Sequence, residues 1–127
     1  MVVIASRSAP VTQTTVIFPV RNLSAALAHY RALGFVLTWL DEDAAVAVVE
    51  HSGVVLHLVT RSGPGPTAPP AVAHLFVGDA RALAVEWSRP GIDGTTVLSA
   101  PVEDGWQAGI HGDPDNNLIH FSSEDDA

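Results

Sequence analysis

The sequence predicts an α+β fold built from two copies of one βαβββ module. A strand-to-helix unit at residues 20–35 recurs without a gap at residues 77–92. In each copy a valine ends a strand, and Asn22 or Asp79 then supplies the side-chain oxygen of a helix N-cap. A Gly/Pro-rich stretch, 61–70, separates the two copies and is typical of a linker. We therefore expect two half-size modules that share one core.

The first module begins with a β-branched strand at 14–20. Pro19 cannot donate to a strand ladder, so this strand should lie at a sheet edge or have a bulge there. A helix follows, with an apolar stripe that includes Tyr30 and is expected to face the core. Helix 23–33 is followed by three strands, which we place at 35–40, 44–50 and 54–60.

The second module repeats this order. Its helix carries Trp87 on the stripe expected to face the core. An Asp-Pro-Asp-Asn sequence at 113–116 predicts a tight turn, because proline suits the second turn position and Asn tolerates left-handed angles. We place the strands at 71–77, 95–98, 106–111 and 117–122, and the helix at 80–89.

Length and charge limit the classes of function. The 127 residues suit a single domain, with module 1 at about 13–60, the linker at 61–70 and module 2 at about 71–123. The absence of cysteine excludes disulfides, thiolate metal sites and cysteine nucleophiles. A formal net charge of −8 argues against nucleic acid and anionic membranes as partners. The sequence shows neither a signal peptide nor a membrane span, so we expect a cytoplasmic protein.

Three motifs together point to a known family. They are N-L-S-A-A-L-A-H-Y-R-A-L-G-F at 22–35, A-V-E-W at 84–87 and D-P-D-N-N-L-I-H-F at 113–121. In this order the chain resembles the vicinal oxygen chelate superfamily, which includes glyoxalase I, extradiol dioxygenases and bleomycin-resistance proteins. F-P-V at 18–20, G-F-x-x-x-W at 34–39 and the Gly-Trp pair ahead of Asp-Pro resemble the bleomycin-resistance branch in particular.

The chain departs from the family pattern at two places. Asn116 stands where the family usually has glycine, and the segment 106–113 is one residue short. The second departure leaves the register of that strand open.

The resemblance implies four positions that hold a divalent metal in the superfamily's enzymes. Here those positions are Thr15, Val72, His57 and His120. Imidazoles are good metal ligands, but valine cannot coordinate, and catalytic sites usually have three protein ligands. His74 could substitute for Val72. We therefore expect no metal or other cofactor, with His57 and His120 as the ligands if a metal is bound.

Other catalytic patterns are weaker still. The sequence has no Gly-x-Ser-x-Gly elbow and no phosphate-binding loop. Paired carboxylates at Asp41/Asp43 and Glu103/Asp104 fall in predicted turns, where acidic side chains are most often solvated.

The resemblance implies two mixed sheets that curl around a cavity. An aromatic and imidazole-lined pocket in this cavity is the alternative to a metal centre. Such a lining suits a flat or heteroaromatic ligand, and acidic loops at 41–43 and 103–104 would attract a cation. The expected lining residues are Phe35, Trp39, His57, His74, Phe76, Trp106, His111 and His120.

The resemblance then implies a function. We expect a homodimer that sequesters a toxic natural-product antibiotic, such as a bleomycin-like or other aromatic or cationic drug, and confers self-resistance without chemistry. The alternative is a metal-dependent lyase, isomerase or dioxygenase of the same fold. A third reading is an accessory protein that carries a hydrophobic biosynthetic intermediate. The sequence does not name the ligand.

Overall fold

The computed structural model describes residues 14–61, 70–97 and 106–124, which form two four-stranded mixed sheets and two helices. The first module comprises β1 (Val16–Val20), α1 (Leu23–Ala32), β2 (Val36–Asp41), β3 (Val46–His51) and β4 (Val54–Thr60). The second comprises β5 (Val72–Phe76), α2 (Ala80–Glu86), β6 (Thr95–Val97), β7 (Trp106–Gly112) and β8 (Leu118–Glu124). The predicted order, strand–helix–three strands twice, is confirmed.

The two sheets have the same topology. Their strand orders are β1-β4-β3-β2 and β5-β8-β7-β6. In each sheet the first and last strands of the module pair in parallel, and the remaining pairs are antiparallel. β1 therefore lies at an edge of its sheet, as Pro19 predicts.

Both helices begin at the predicted caps, and α1 ends at its predicted glycine, whereas α2 ends before Gly91. The side-chain oxygens of Asn22 and Asp79 each accept a hydrogen bond of 2.9 Å from an N–H group of the first turn. Gly34 and Gly91 follow the helices with φ of 101° and 93°, a region in which a side chain would be strained. α2 is shorter than predicted because the chain leaves helical geometry at Trp87, whose ψ is 2°.

The two helices contribute side chains to one core that both modules share. Tyr30 and Trp87 are fully buried, and both belong to the same apolar cluster. The Trp87 indole N–H donates to the carbonyl oxygen of Leu33 at 3.0 Å, so the second helix is tied directly to the end of the first. Other large members of this cluster include Phe18, Phe35, Leu56, Leu58 and Phe121.

A buried carboxylate at the Asp-Pro-Asp-Asn turn links the modules. Asp113 Oδ1 accepts from the backbone N–H groups of Asp115 and Asn117 at 2.8 and 2.9 Å. Its Oδ2 accepts from the Tyr30 hydroxyl at 2.7 Å and from Asn117 Nδ2 at 2.9 Å. Asn117 Nδ2 also donates to the Pro19 carbonyl oxygen at 2.9 Å. We call these side chains the turn network; it fixes the turn against α1 and β1.

The two departures from the family pattern have local explanations. Asn116 adopts φ of 66°, a left-handed angle that asparagine tolerates better than most residues other than glycine. β7 pairs with β8 residue by residue, from Trp106 opposite Glu124 to Gly112 opposite Leu118, with no bulge.

Candidate functional site: a cleft and two open sheet faces

The first sheet leaves one face open to solvent. Alternation in β4 turns Leu56 and Leu58 to the core, which places His57 on the opposite face. His57 stands opposite Ile17 in β1 and Val48 in β3. These residues, with Trp39 beyond Val48, form a row across all four strands. Trp39 and Ile17 are 53% and 55% exposed, so aromatic and aliphatic surface lies beside an imidazole.

The second sheet has an equivalent open face. His120 of β8 stands opposite His74 of β5, as His57 stands opposite Ile17. Nε2 of His74 is hydrogen-bonded to Ser122 Oγ at 2.8 Å, and its ring lies 4.7 Å from the ring of Phe76. Phe76 is 78% exposed. This face therefore combines an exposed phenyl ring with two neighbouring imidazoles.

The metal positions implied by the resemblance do not form a donor set. His57 and His120 lie on different sheets, and the ring centroids of His74 and His120 are 6.3 Å apart. Across residues 14–61, 70–97 and 106–124, no group of three or more His, Asp or Glu side chains could hold a metal ion. Thr15 and Val72 add a hydroxyl and an alkyl group. The residues of this chain do not fit the four-ligand centre.

A cleft of about 610 Å³ lies where the modules meet. One wall is the β3–β4 turn, and the other is β5 with α2. Its volume is that of a site for a drug-sized molecule. The lining comprises Phe35, His51, Ser52, Val54, Trp87, residues 74–79, Ala82, Leu83 and Glu86.

Three of the residues predicted to bind ligand line this cleft: Phe35, His74 and Phe76. The charged groups of the lining are two carboxylates, Asp79 and Glu86, and the lining contains no arginine. Sequence reasoning assigned Asp79 only to helix capping and overlooked Glu86. The signal was available, because a capping residue that follows a strand after a short connection lies near the end of that strand, where clefts often form.

The other predicted residues are separated from the cleft. Trp39, His57 and His120 lie on the open faces. His111 is fully buried and faces the core, which differs from the expectation that it lines the pocket. The physical reason is strand alternation: His111 pairs with the buried Ile119 rather than with His120. The prediction for the Trp106 side chain, like that for Glu103 and Asp104, falls outside the described part of the chain.

His111 belongs to a chain of partly buried hydrogen bonds. The Thr95 hydroxyl donates to the Trp87 carbonyl oxygen at 2.9 Å, so it accepts from His111 Nδ1–H at 2.7 Å. The unprotonated Nε2 of His111 then accepts from His29 Nε2–H at 2.8 Å. Burial, and secondarily the His29 ring, lowers the pKa of His111 to about 4, against the opposing effect of Asp113. Burial likewise lowers the pKa of His29.

Acid should therefore destabilise the protein before its carboxylates titrate. Unfolded His111 binds a proton near its ordinary pKa of 6.5, whereas the folded ring resists protonation down to about 4. The contribution of neutral His111 to the free energy of unfolding is therefore fully present above pH 6.5 and is lost as the pH falls towards 4. The slope due to this group is at most about 1.4 kcal/mol per pH unit. Urea unfolding at intervals from pH 7.5 to 5 measures the slope. His111→Asn, which keeps a donor for Thr95 but does not titrate, should flatten the curve; an unchanged slope would contradict this account.

Comparison with models of known protein families identifies the superfamily of this chain. The model of the Glyoxalase/Bleomycin resistance protein/Dioxygenase superfamily matches residues 12–121. The chain belongs to this superfamily. The resemblance drawn from the three sequence motifs is thereby confirmed. A search of curated proteins found no match.

Solved structures of the superfamily share the fold along nearly their whole length. A bleomycin resistance determinant encoded on the transposon Tn5 has a TM-score of 0.74 at 20% identity, covering 92% of this chain and 100% of that chain. A bleomycin-binding protein complexed with bleomycin has a TM-score of 0.69 at 19% identity, covering 91% and 100%. A glyoxalase/bleomycin resistance protein from Catenulispora acidiphila has a TM-score of 0.69 at 26% identity, covering 87% and 96%.

Neither helix of the described residues is long and apolar enough to span a membrane.

Proposed function

We propose that this superfamily member binds and sequesters an aromatic or cationic natural-product antibiotic, without a metal and without turnover, and so confers self-resistance. The observation that carries the proposal is the cleft of about 610 Å³, which has aromatic walls and whose charged lining groups are both carboxylates. Such a cleft favours a cation through its charge and a flat ring through its aromatic faces. The fold shared with a bleomycin-binding protein supports this reading.

The two open sheet faces support a homodimer with composite pockets. Each face exposes large apolar side chains, including Ile17 at 55% and Val72 at 58%. Contiguous apolar surface on one chain is stabilised by association with a second surface. A two-fold dimer can place the open face of one module against the other module of the second copy, so that His57 and His120 of different copies share a pocket.

The dimer is expected in solution at micromolar concentration. Sedimentation should give twice the chain mass of 13.3 kDa. Ile17→Asp places a charge on the open face of β1 without disturbing the core and should shift the protein to monomer. Val85→Asp is the matched control, because Val85 is similarly exposed, at 69%, but lies on α2 rather than on an open sheet face. A wild-type mass of one chain would remove the dimer from the proposal.

Trp39, which lies on an open sheet face outside the cleft, should contribute to ligand binding through stacking in the composite pocket of the dimer. Trp39→Ala is expected to weaken binding by about 1–3 kcal/mol, the range found for stacking on exposed aromatic side chains. Calorimetric titration with metal-free bleomycin, the probe chosen from the structural similarity, measures the loss. Trp106→Ala should behave alike, and Val85→Ala should not change affinity. Unchanged affinity in both tryptophan variants, with fold retained, would place the stacking surface elsewhere.

The decisive experiment compares binding with turnover. The protein is incubated with excess bleomycin in chelator, and in parallel with added zinc, iron or nickel. Intact ligand at one molecule per site, unaffected by chelator, is the expected result. Catalytic loss of ligand that appears only with metal and disappears in His57→Ala or His120→Ala would establish the metal-dependent enzyme instead.

A further inference from the structure

Two histidines form a hydrogen bond between the modules. His29 lies on α1 of the first module and His111 on β7 of the second, and their Nε2 atoms are 2.8 Å apart. The ring centroids are 5.0 Å apart, and we call these two rings the histidine pair. His111 is fully buried, whereas His29 is partly exposed. Protons from solvent therefore reach the pair through His29.

The histidine pair packs against an inner wall of the cleft. The Trp87 indole lines the cleft and lies edge-to-face against the His111 ring, with centroids 5.5 Å apart. Through the Thr95 hydroxyl, His111 is also linked to the Trp87 carbonyl oxygen. Phe35, whose ring centroid is 6.5 Å from that of Trp87, lines the same cleft. The position of this wall therefore depends on the packing around His111.

The contact between the two rings tolerates one added proton but not two. A first proton binds at Nδ1 of His29, which leaves its Nε2–H directed at the lone pair of His111 Nε2. A second proton must occupy Nε2 of His111. Two N–H groups would then face each other at 2.8 Å, a distance that requires one donor and one acceptor. The doubly protonated rings must therefore separate.

Three carboxylates act on the histidine pair. Asp113 and Asp115 belong to the turn before β8, and Asp93 precedes β6. They favour the protonated rings, but burial outweighs them and lowers the pKa of both histidines. The Tyr30 ring lies beside His29, and its hydroxyl donates to Asp113. A ring that moves towards solvent escapes the effect of burial and keeps the attraction of these carboxylates.

We propose that the histidine pair is an acid-sensitive switch for the cleft: when both rings are protonated they separate, the packing of Trp87 loosens, and the ligand is released while both sheets stay folded. The turn network holds the modules together in this separated form, because Tyr30 and Asn117 still donate to Asp113. The inference rests on the proposed function in taking the cleft as the ligand site, and it adds that pH controls this site.

The separated form is favoured as the pH falls. In the paired form the pKa of His111 is lowered to about 4, whereas a solvated ring titrates near 6.5. Each proton that only the separated form binds raises the ratio of separated to paired protein by up to about tenfold per pH unit below 6.5. The rings are therefore paired above pH 6.5 and separate as the pH falls from 6.5 towards 4.

A protein with Trp87 as its only tryptophan tests the separation without any ligand. The chain has three tryptophans, so Trp39→Phe with Trp106→Phe leaves Trp87 alone. Acrylamide quenching of its fluorescence and far-UV circular dichroism are measured together from pH 7.5 to 4.5. The quenching constant should rise at least about threefold by pH 5, as expected for local opening, with circular dichroism retained. Quenching that rises only where circular dichroism is lost would show global unfolding and overturn the inference.

Variants of the pair show whether these two rings control the opening. In His29→Gln the amide donates to neutral His111 and, once turned, accepts from protonated His111, so the contact survives. His111→Asn keeps a donor for Thr95 and does not titrate. In the single-tryptophan protein both changes should hold the quenching constant level down to pH 5. His120→Gln removes a histidine from the open face of the second sheet and should leave the opening unchanged. Opening that persists in both pair variants would contradict the proposal.

Nitrogen-15 spectra of the imidazole rings measure the same event in the protein without substitutions. Nε2 of His111 should gain its proton at the pH at which Trp87 becomes accessible to acrylamide. Protonation of His111 only at a lower pH would contradict the coupling.

Calorimetric titration with metal-free bleomycin at pH 7.5 and 5.5 tests the release of ligand. Relative to His111→Asn, which cancels any titration of bleomycin itself, the parent protein should lose at least about tenfold in affinity between the two pH values. Equal losses in the two proteins would overturn the inference. Bleomycin that binds at neither pH would count against the drug-sequestration proposal, and the Trp87 measurement would still decide whether the histidine pair opens the cleft.

Discussion

Replacing Asp113 by alanine is expected to lower the free energy of unfolding by about 3–5 kcal/mol. The carboxylate is buried and accepts four hydrogen bonds, two from backbone N–H groups and two from the side chains of Tyr30 and Asn117. Alanine would leave these buried donors without acceptors, and breaking a buried polar network costs more than losing a single exposed bond. Urea unfolding monitored by circular dichroism at pH 7.5 measures the change.

Two further variants separate the network from its parts. Tyr30→Phe removes only the hydroxyl and should cost about 0.5–2 kcal/mol, since the remaining three hydrogen bonds to Asp113 persist. Asp115→Ala keeps the backbone donor to Asp113 and loses only an exposed acceptor for Arg21 N–H, so its effect should stay within about 1 kcal/mol. A loss below about 1 kcal/mol for Asp113→Ala would show that water replaces the carboxylate and that the turn does not hold the modules together.

Trp87→Ala should destabilise the protein by a similar amount, about 3–5 kcal/mol. Trp87 is 1% exposed, and its ring lies against the rings of Phe35, His111 and Phe121 at centroid distances of 5.5–6.5 Å. Truncation removes this apolar area from the core and leaves a cavity that the surrounding sheets cannot close. It also removes the indole donor to the Leu33 carbonyl oxygen.

The matched variants distinguish packing from a general sensitivity of α2. Trp87→Phe keeps a ring in place and should cost less than alanine, while Val85→Ala changes a side chain that is 69% exposed and should cost under about 1 kcal/mol. The measurement is the urea concentration at the midpoint of unfolding, compared among variants whose free energy of unfolding depends on urea concentration with the same slope. Equal losses for Trp87→Ala and Val85→Ala would place the effect in helix propensity rather than in the core.

Local signals were sufficient to predict the elements of this chain. Asn22 and Asp79 cap the predicted helices and Gly34 follows the C-cap of α1, because these effects depend on residues within one helical turn. The prediction that Gly91 ends α2 is wrong, because that helix already ends at Glu86. Alternation in β8 likewise predicted that Ile119 and Phe121 would face away from His120.

The candidate site was predicted only in part. His74 and Phe76 line the cleft, but His111 was assigned to the pocket on residue type alone. Its burial depends on which β8 residue stands opposite it, and on Thr95 and His29, which approach it from other elements. The carboxylates of Asp79 and Glu86 were missed because only the placement of α2 beside β5 brings both into the lining of one cleft.

The sequence by itself determined the repeated module, the helix caps, the apolar helix stripes that face the core, and the superfamily of the chain. All of these depend on short-range residue patterns and on the order of the motifs. The tertiary structure alone decided how the two modules pack together around Trp87 and Asp113. It also decided that one face of each sheet is open to solvent and that an acidic cleft lies along β5. These features arise from contacts between residues 54–98 positions apart, such as Trp87 with Leu33 and Asn117 with Pro19. Packing and buried hydrogen bonds select such pairs, and no local pattern of residues encodes them.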